Sequence, residues 1–403
     1  MKKAIDIPKG YKQSPVGVIP KDWEVKRFDE VCPLQRGFDL PAGDIVTGEY
    51  PVVYSNGILC YHKEYLVKGP GVVTGRSGTI GKVTFVEKNF WPHNTSLWVT
   101  NFHGNDIKYI YYFLQNFKLS KYASGSGVPT LNRNDLHIQK IPLPPLPEQR
   151  KIAEMLSTWD KAIELQTAII DKLNLRKKGL MQQLLTGKKR LNGFSEIWGR
   201  IRLGDFIEFR RNNTLSRDNL NYEKGELYDI HYGDVLIKYD SILDVSKTTL
   251  PYISIPYNYD KSDCVQEGDI ILADTAEDET VGKACEVINI ENKTILSGLH
   301  TIHMRPRKGA FATRFLGYYI NSTAFHNKLL PFIQGIKVCS LSKSNIARIC
   351  LLVPSYREQC AIADILTDAD NEIQKEKQKL EALEQQKKGL MQQLLTGKKR
   401  IKI

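Results

Sequence analysis

The chain has 403 residues, 41% hydrophobic and 25% charged, which is the composition of a globular protein too long for one hydrophobic core. No run approaches 18 consecutive apolar residues, and the basic start Met1-Lys2-Lys3 has no apolar stretch behind it, so neither a membrane span nor a secretory signal is expected. The net charge of +12 suits an anionic partner, although residues 194–353 sum to about −1, so any nucleic-acid surface there has to be local. Seven cysteines without a C-x-x-C pair read as reduced thiols, and hence as a cytoplasmic protein.

In chain order, Trp23-x-x-x-Arg27-Phe28-x-Glu30 opens a β-rich stretch with strand-like runs at 48–54 and 69–86. A short aromatic helix is expected over Ile107 to Phe117, with Tyr111, Tyr112 and Phe113 as core residues at helical spacing, and a glycine-containing loop over 124–130 follows. Gly75 to Lys82, GRSGTIGK, resembles a phosphate-binding loop. However, position 76 is arginine and position 83 valine, so a strand–turn–strand is the better reading.

Pro142, Pro144, Pro145 and Pro147 then precede a long helix, where prolines are tolerated only before or within the first turn. Its 4-3 seam runs Ile152, Leu156, Trp159, Ile163, Gln166, Ile170, Leu173, Lys177, Leu180, Leu184. From Glu148 to Thr186 is 39 residues, about 58 Å at 1.5 Å each.

A second β-rich stretch opens at Trp198-x-x-x-Arg202-Leu203-x-Asp205 and has strand-like runs at 225–239 and 267–290. It shares a Gly-Lys turn with the first (Gly282-Lys283 against Gly81-Lys82), a short helix over 314–321 and a loop over 334–340. A second long helix follows, with seam Ile362, Leu366, Ala369, Ile373, Glu376, Leu380, Leu383, Lys387, Leu390, Leu394. Residues 177–190 and 387–400 are the same fourteen, and 144–190 against 354–400 gives 23 identities in 47 positions. Both seams carry their two polar interruptions at matching places, so the helices are expected to pair with each other, antiparallel. Packing of each helix on its own domain is the alternative, and the register stays open.

The expected organisation is therefore an α+β domain at 1–143, a helical spacer at 144–193, a second α+β domain at 194–353 and a second spacer at 354–403, forming a pseudo-two-fold circular repeat. The pairing positions singled out are Ile152, Leu156, Ile163, Leu173, Leu180 and Leu184 with Ile362, Leu366, Ile373, Leu383, Leu390 and Leu394.

His300-x-x-His303 lacks further metal ligands nearby, so no metal site is expected. No glycine-rich cofactor fingerprint follows a strand, and no Asn/Asp-Pro-Pro-aromatic loop is present to receive a flipped adenine. The chain is expected to be non-catalytic and to bind no cofactor itself. Two other readings remain open on these residues: a single-chain modification enzyme, which the missing motifs disfavour, and a coiled-coil adaptor for proteins or polysaccharide.

The domain–helix–domain–helix order resembles the specificity (S) subunits of type I restriction–modification systems. The PLPPLPEQ run at Pro142 to Gln149, its relic at Val353 to Gln359, the two KKGLMQQLLTGK tails and GRSGTIGK carry the resemblance across essentially the whole chain. The second domain departs from the pattern, with the acidic insertion Glu277-Asp278-Glu279 ahead of Val281-Gly282-Lys283. The resemblance implies two target-recognition domains, each reading half of a bipartite double-stranded DNA sequence. It also implies helices that dock two methyltransferase subunits, with restriction/translocase subunits joining and S-adenosylmethionine, ATP and magnesium belonging to those partners. Candidate DNA contacts are the polar loop residues Arg36, Arg76, Ser77, Lys82, Ser126 and Arg133 in the first domain and Arg210, Arg211, Lys238, Gln334 and Lys337 in the second.

Overall fold

The computed structural model describes residues 7–125, 127–335 and 338–401. The chain forms two units, Met1–Thr167 with Gln378–Ile403 and Ala168–Lys377. Both divisions fall inside the long helices Leu146–Leu184 and Tyr356–Leu394, so each unit takes the first part of one helix and the last part of the other. This is the circular repeat expressed in chain topology. Each helix begins two residues earlier than its spacing suggests, which places Pro147 within the first turn.

Unit 1 is built on a four-stranded antiparallel sheet in the order Leu34–Arg36, Ser96–Val99, Gly71–Gly75, Val83–Val86. The segment GVVTG is buried throughout because both sheet faces are covered at that strand. A smaller sheet of Gly57–His62, Tyr50–Tyr54 and Trp91–Pro92 lies alongside it in sequence. Helix Ile107–Asn116 starts where the Asp106 carboxylate accepts a hydrogen bond from the Tyr109 amide at 2.8 Å. It buries Tyr109, Ile110, Tyr112, Phe113 and Leu114, while Tyr111 is half-buried, so the aromatic run is core. Ile152 and Leu156 from the first long helix, Leu394 from the second and Leu395 just after it join the same core.

Unit 2 repeats the plan with a larger main sheet. Its five-stranded mixed sheet runs Ile207–Arg210, Thr301–Pro306, Ile270–Ala273, Ala284–Ile288, Ile242–Asp244. Gly199–Arg202 pairs antiparallel with Cys350–Val353, as Glu24–Arg27 pairs with Lys140–Leu143 in unit 1. These ribbons place each domain's opening tryptophan beside the start of the long helix that follows. One strand expectation fails. After Leu227–Ile230 the chain turns into helix Tyr232–Ile237, because the His231 ring caps the Gly233 amide and Asp234 sits in the first turn.

The residues that the two repeats share form two duplicated clusters. In unit 1 the buried Glu148 carboxylate accepts from the Trp23 indole N–H (2.9 Å) and from Arg400 (2.8 and 2.9 Å). In unit 2 buried Glu358 accepts from Trp198 (3.2 Å) and from Arg190 (2.8 Å twice). The neighbouring glutamines act alike. Gln149 bridges the Asp106 amide and the Pro144 carbonyl, and Gln359 bridges the Ala312 amide and the Pro354 carbonyl.

The second cluster sits further along the helices. Lys387 pairs with Asp160, which also accepts from the Tyr112 hydroxyl, and the ammonium lies 5.5 Å from the Tyr112 ring centre. Lys177 pairs with Asp370, which accepts from Tyr318 at 2.7 Å, and lies 5.4 Å from that ring. Within each unit the partners run in opposite directions, 148 to 160 against 400 to 387 and 358 to 370 against 190 to 177, so the helix segments pair antiparallel. All twenty seam positions are buried or half-buried. The seam lysines meet Asp370 and Asp160, which settles the register.

Candidate nucleic-acid interface

Strand geometry decides which loops share an end of each sheet. In unit 1, Leu34–Arg36 and Gly71–Gly75 both run antiparallel to Ser96–Val99, so they finish at the same end, where Val83–Val86 begins. Arg36, Arg76, Ser77 and Lys82 therefore share that end. The Arg76 amide donates to Thr95 O at 2.9 Å, its carbonyl accepts from the Leu131 amide at 2.8 Å, and Ser77 bridges Thr130. These bonds bring in Arg133, the exposed first residue of helix Arg133–His137. Gly75 is required here, because a Cβ would sit 1.7 Å from Thr79 O. GRSGTIGK is thus the turn that joins strands Gly71–Gly75 and Val83–Val86, the strand–turn–strand that its sequence suggests.

The cations at this end are not equally available. Arg36 is exposed and pairs with Asp39 at 3.1 Å. Lys82 donates to the carbonyl of Asn56 at 2.5 Å, tying down the turn after Tyr50–Tyr54. Arg76 has a backbone held on both sides and a half-buried side chain. Sequence reasoning missed His93, Asn94 and Thr95, which lie between Arg36 and Arg76. His93 stacks on Tyr54 at 4.1 Å and hydrogen-bonds Thr95 Oγ1 at 3.0 Å, and burial holds its pKa below the usual histidine value. Their signal was a short polar run after Trp91-Pro92, and only the strand order locates it.

Unit 2 has the corresponding end. Arg210 closes its strand, Ala273 pairs with Thr301, and Ala284 begins the next strand. Lys283 donates to Leu236 O at 2.9 Å, as Lys82 does to Asn56 O, and Gly282 and Gly81 share left-handed φ values of 91° and 93°. That bond fixes helix Tyr232–Ile237, and with it Lys238, at this end. The Lys238 ammonium is occupied by Asp234 at 2.9 Å and the Tyr222 hydroxyl at 2.7 Å. Arg210 pairs with Glu208, and its carbonyl accepts from Lys343. Arg211 is exposed, with its amide on Asp263, beside a cavity of about 160 Å³ shared with Asn213, Tyr257 and Asp260. Exposed Gln334 bridges Ser340, which pairs with Thr275 at the strand end. Ser126 and Lys337 lie outside the described residues.

The acidic insertion Glu277-Asp278-Glu279 is exposed just after Thr275–Ala276, where unit 1 carries Arg76 and Lys82. Of the two histidines, His303 is buried against Asp269 at 2.7 Å, and His300 meets Tyr232 edge-on. Among the described residues no group of three or more metal-ligating side chains occurs.

The two units are thus versions of one α+β module, each closed by antiparallel helix segments and each gathering polar loops at one sheet end. The family model for the type I restriction modification DNA specificity domain matches residues 20–175 and 195–385, and the chain belongs to that family. It is a type I specificity subunit with two such domains. Relatives similar along nearly their whole length include the putative type I restriction enzyme MjaX specificity subunit of Methanocaldococcus jannaschii, at 25% identity over 97% of both chains. The MjaVIII specificity subunit of the same organism is also 25% identical, over 95% of this chain and 94% of its own. The fold is similar to the S subunit of a type I restriction–modification system from M. genitalium (TM-score 0.55, 16% identity, 92% and 96% covered). It is also similar to a chain from a study of type I complex assembly and conformational transition (TM-score 0.57, 15% identity, 94% and 99% covered). No described helix is long and apolar enough to cross a membrane.

Proposed function

We propose that each unit reads one half of a bipartite duplex DNA sequence through the loop-bearing end of its sheet, and that the paired helices dock two methyltransferase subunits. The observation that supports this most is the contrast between regions. The helix contacts repeat residue for residue, whereas the sheet ends differ in charge, length and side chains. A repeated surface suits a repeated partner, and two different ends suit two different sequences. In this reading Arg36, Arg76 and Arg133 address phosphates or base edges in one half-site, and Arg211 and Gln334 in the other. Lys82 and Lys238 position neighbouring loops, Lys82 by holding the Asn56 carbonyl and Lys238 by holding both Asp234 and the Tyr222 hydroxyl, whereas Arg36 meets one exposed carboxylate, Asp39, that phosphate can replace.

The acidic tip of unit 2 suits base donors such as cytosine N4 better than phosphate. Methyl transfer and cleavage then fall to partners: S-adenosylmethionine to the methyltransferases, ATP and magnesium to restriction/translocase subunits, all in the cytoplasm. The test is to assemble Arg76→Ala and Arg211→Ala chains with the cognate methyltransferase and measure DNA binding and methylation. Each substitution should weaken binding by about 1–3 kcal/mol and relax one half of the methylated motif, leaving the other half unchanged. Unchanged motifs and affinities in both variants would remove these sheet ends from DNA reading.

A further inference from the structure

Unit 1 contains a hollow of about 890 Å³ that the DNA-reading loops do not border. Its floor is aromatic and apolar. Phe113 and Leu395 are buried there, and Phe117 stands parallel to Tyr122 with ring centres 5.8 Å apart. The hairpin Tyr11–Ser14 and Gly17–Pro20 supplies one wall through Val16 and Val18. Four exposed lysines border it, Lys118, Lys121, Lys140 and Lys398, and among the described residues no carboxylate does. Unit 2 differs at the matching point. Leu185, the repeat counterpart of Leu395, shares a buried cluster with Phe325 and Leu329 of helix Thr323–Leu329. In unit 1 no helix stands between Ile107–Asn116 and the turn Leu119–Tyr122.

We infer that this hollow is a docking site for an acidic peptide segment of a partner protein that inserts aromatic or aliphatic side chains. Charge complementarity selects the sign, since four ammonium groups without a carboxylate repel a basic segment. That argument also disfavours the chain's own first six residues, which carry Lys2 and Lys3 against Asp6. The apolar floor selects a peptide over duplex DNA, whose phosphates face outward and whose bases are already stacked, so that neither fills an aromatic hollow of this size. The assignment does not depend on which bases the sheet ends read.

The test uses the full-length chain and a fluorescein-labelled peptide in which glutamates flank a phenylalanine and leucines, followed by fluorescence anisotropy. Saturable binding in the micromolar range, falling as salt rises, is expected. Lys118→Glu combined with Lys121→Glu should weaken it at least about tenfold by removing the charge. Val18→Trp, which fills the hollow while keeping every lysine, should weaken it by a similar factor. Circular dichroism and the unfolding midpoint verify that each variant is folded. A control peptide with serine in place of phenylalanine and leucine should stay unbound. Equal binding of that control, wild-type affinity in both variants, or lysine-dependent binding of duplex DNA or phosphatidylserine vesicles without binding of the peptide would each overturn the proposal.

Discussion

Trp23 is fully buried with its indole N–H on a carboxylate that is itself buried, and Trp198 makes the same bond while half-exposed. Phenylalanine keeps most of the apolar contact and removes the donor. Trp23→Phe should therefore cost about 2 kcal/mol, the value of a hydrogen bond to a charged group, and Trp198→Phe clearly less. Urea midpoints of the two variants measure the difference. The tryptophans were legible as the matching start of both domains. Their role was not, because each partner glutamate lies 125 or 160 residues away along the chain.

Asp229 behaves in the opposite way. Its Oδ2 accepts from Asn213 at 2.6 Å, its buried Oδ1 has no hydrogen-bond partner among the described residues, and burial raises its pKa from 3.8 to about 7. The folded state then holds a proton that the unfolded state releases, so stability falls as pH rises between about 4 and 7. Asp229→Asn should remove that dependence. Thermal unfolding followed against pH should show little difference from the parent chain near pH 4. Above pH 7 the variant should be more stable by a few kcal/mol at most, on the order set by the shift.

At the scale of the elements, burial along the helices is uneven, with Ile170 and Ile373 buried beside half-buried seam positions. Leu156 and Leu366 are fully buried within the unit cores, whereas Leu173 and Leu383 in the middle are half-buried. Leu366→Ala should cost about 2–4 kcal/mol through the cavity it leaves. Leu173→Asp should cost about 1–3 kcal/mol, because a half-buried charge keeps partial access to water. If thermal melts reverse that order, the difference in burial between these leucines does not set their contribution.

The seam was legible because a 3.5-residue period survives in sequence without tertiary knowledge. The axial offset between the helices was not, since periodicity says nothing about how far one helix slides along another. The tryptophan–glutamate–arginine clusters at the helix ends set that offset, and Lys177 meets Asp370 as a result. The segment Tyr232–Ile237 fails for a related reason. Its apolar run fits strand or helix, and the His231 cap decides between them only once the backbone has turned.

For the whole molecule, the division between repeated and divergent residues carries a direct expectation. Replacing residues 20–143 with the matching segment of another specificity subunit removes Trp23 and Tyr112 but restores them if the donor carries the same anchors. Such an exchange should alter one half of the methylated motif and leave methyltransferase recruitment intact. Methylome sequencing of cells carrying the hybrid decides it, and changes in both halves would contradict the separation. The sheet ends were the least legible region, because loops adjacent in space come from strands ordered non-consecutively.

Every one of the four duplicated clusters joins a residue before position 193 to one after it: Glu148 to Arg400, Asp160 to Lys387, Lys177 to Asp370, Arg190 to Glu358. The peptide bond between the halves is therefore not what holds them. A single cut in the exposed segment before Ile197, which is 97% exposed, would leave each unit assembled from two fragments. Residues 1–193 and 194–403 expressed as separate chains should accordingly co-purify and regain methyltransferase-dependent DNA binding, with covalent continuity acting only to keep their proportions equal.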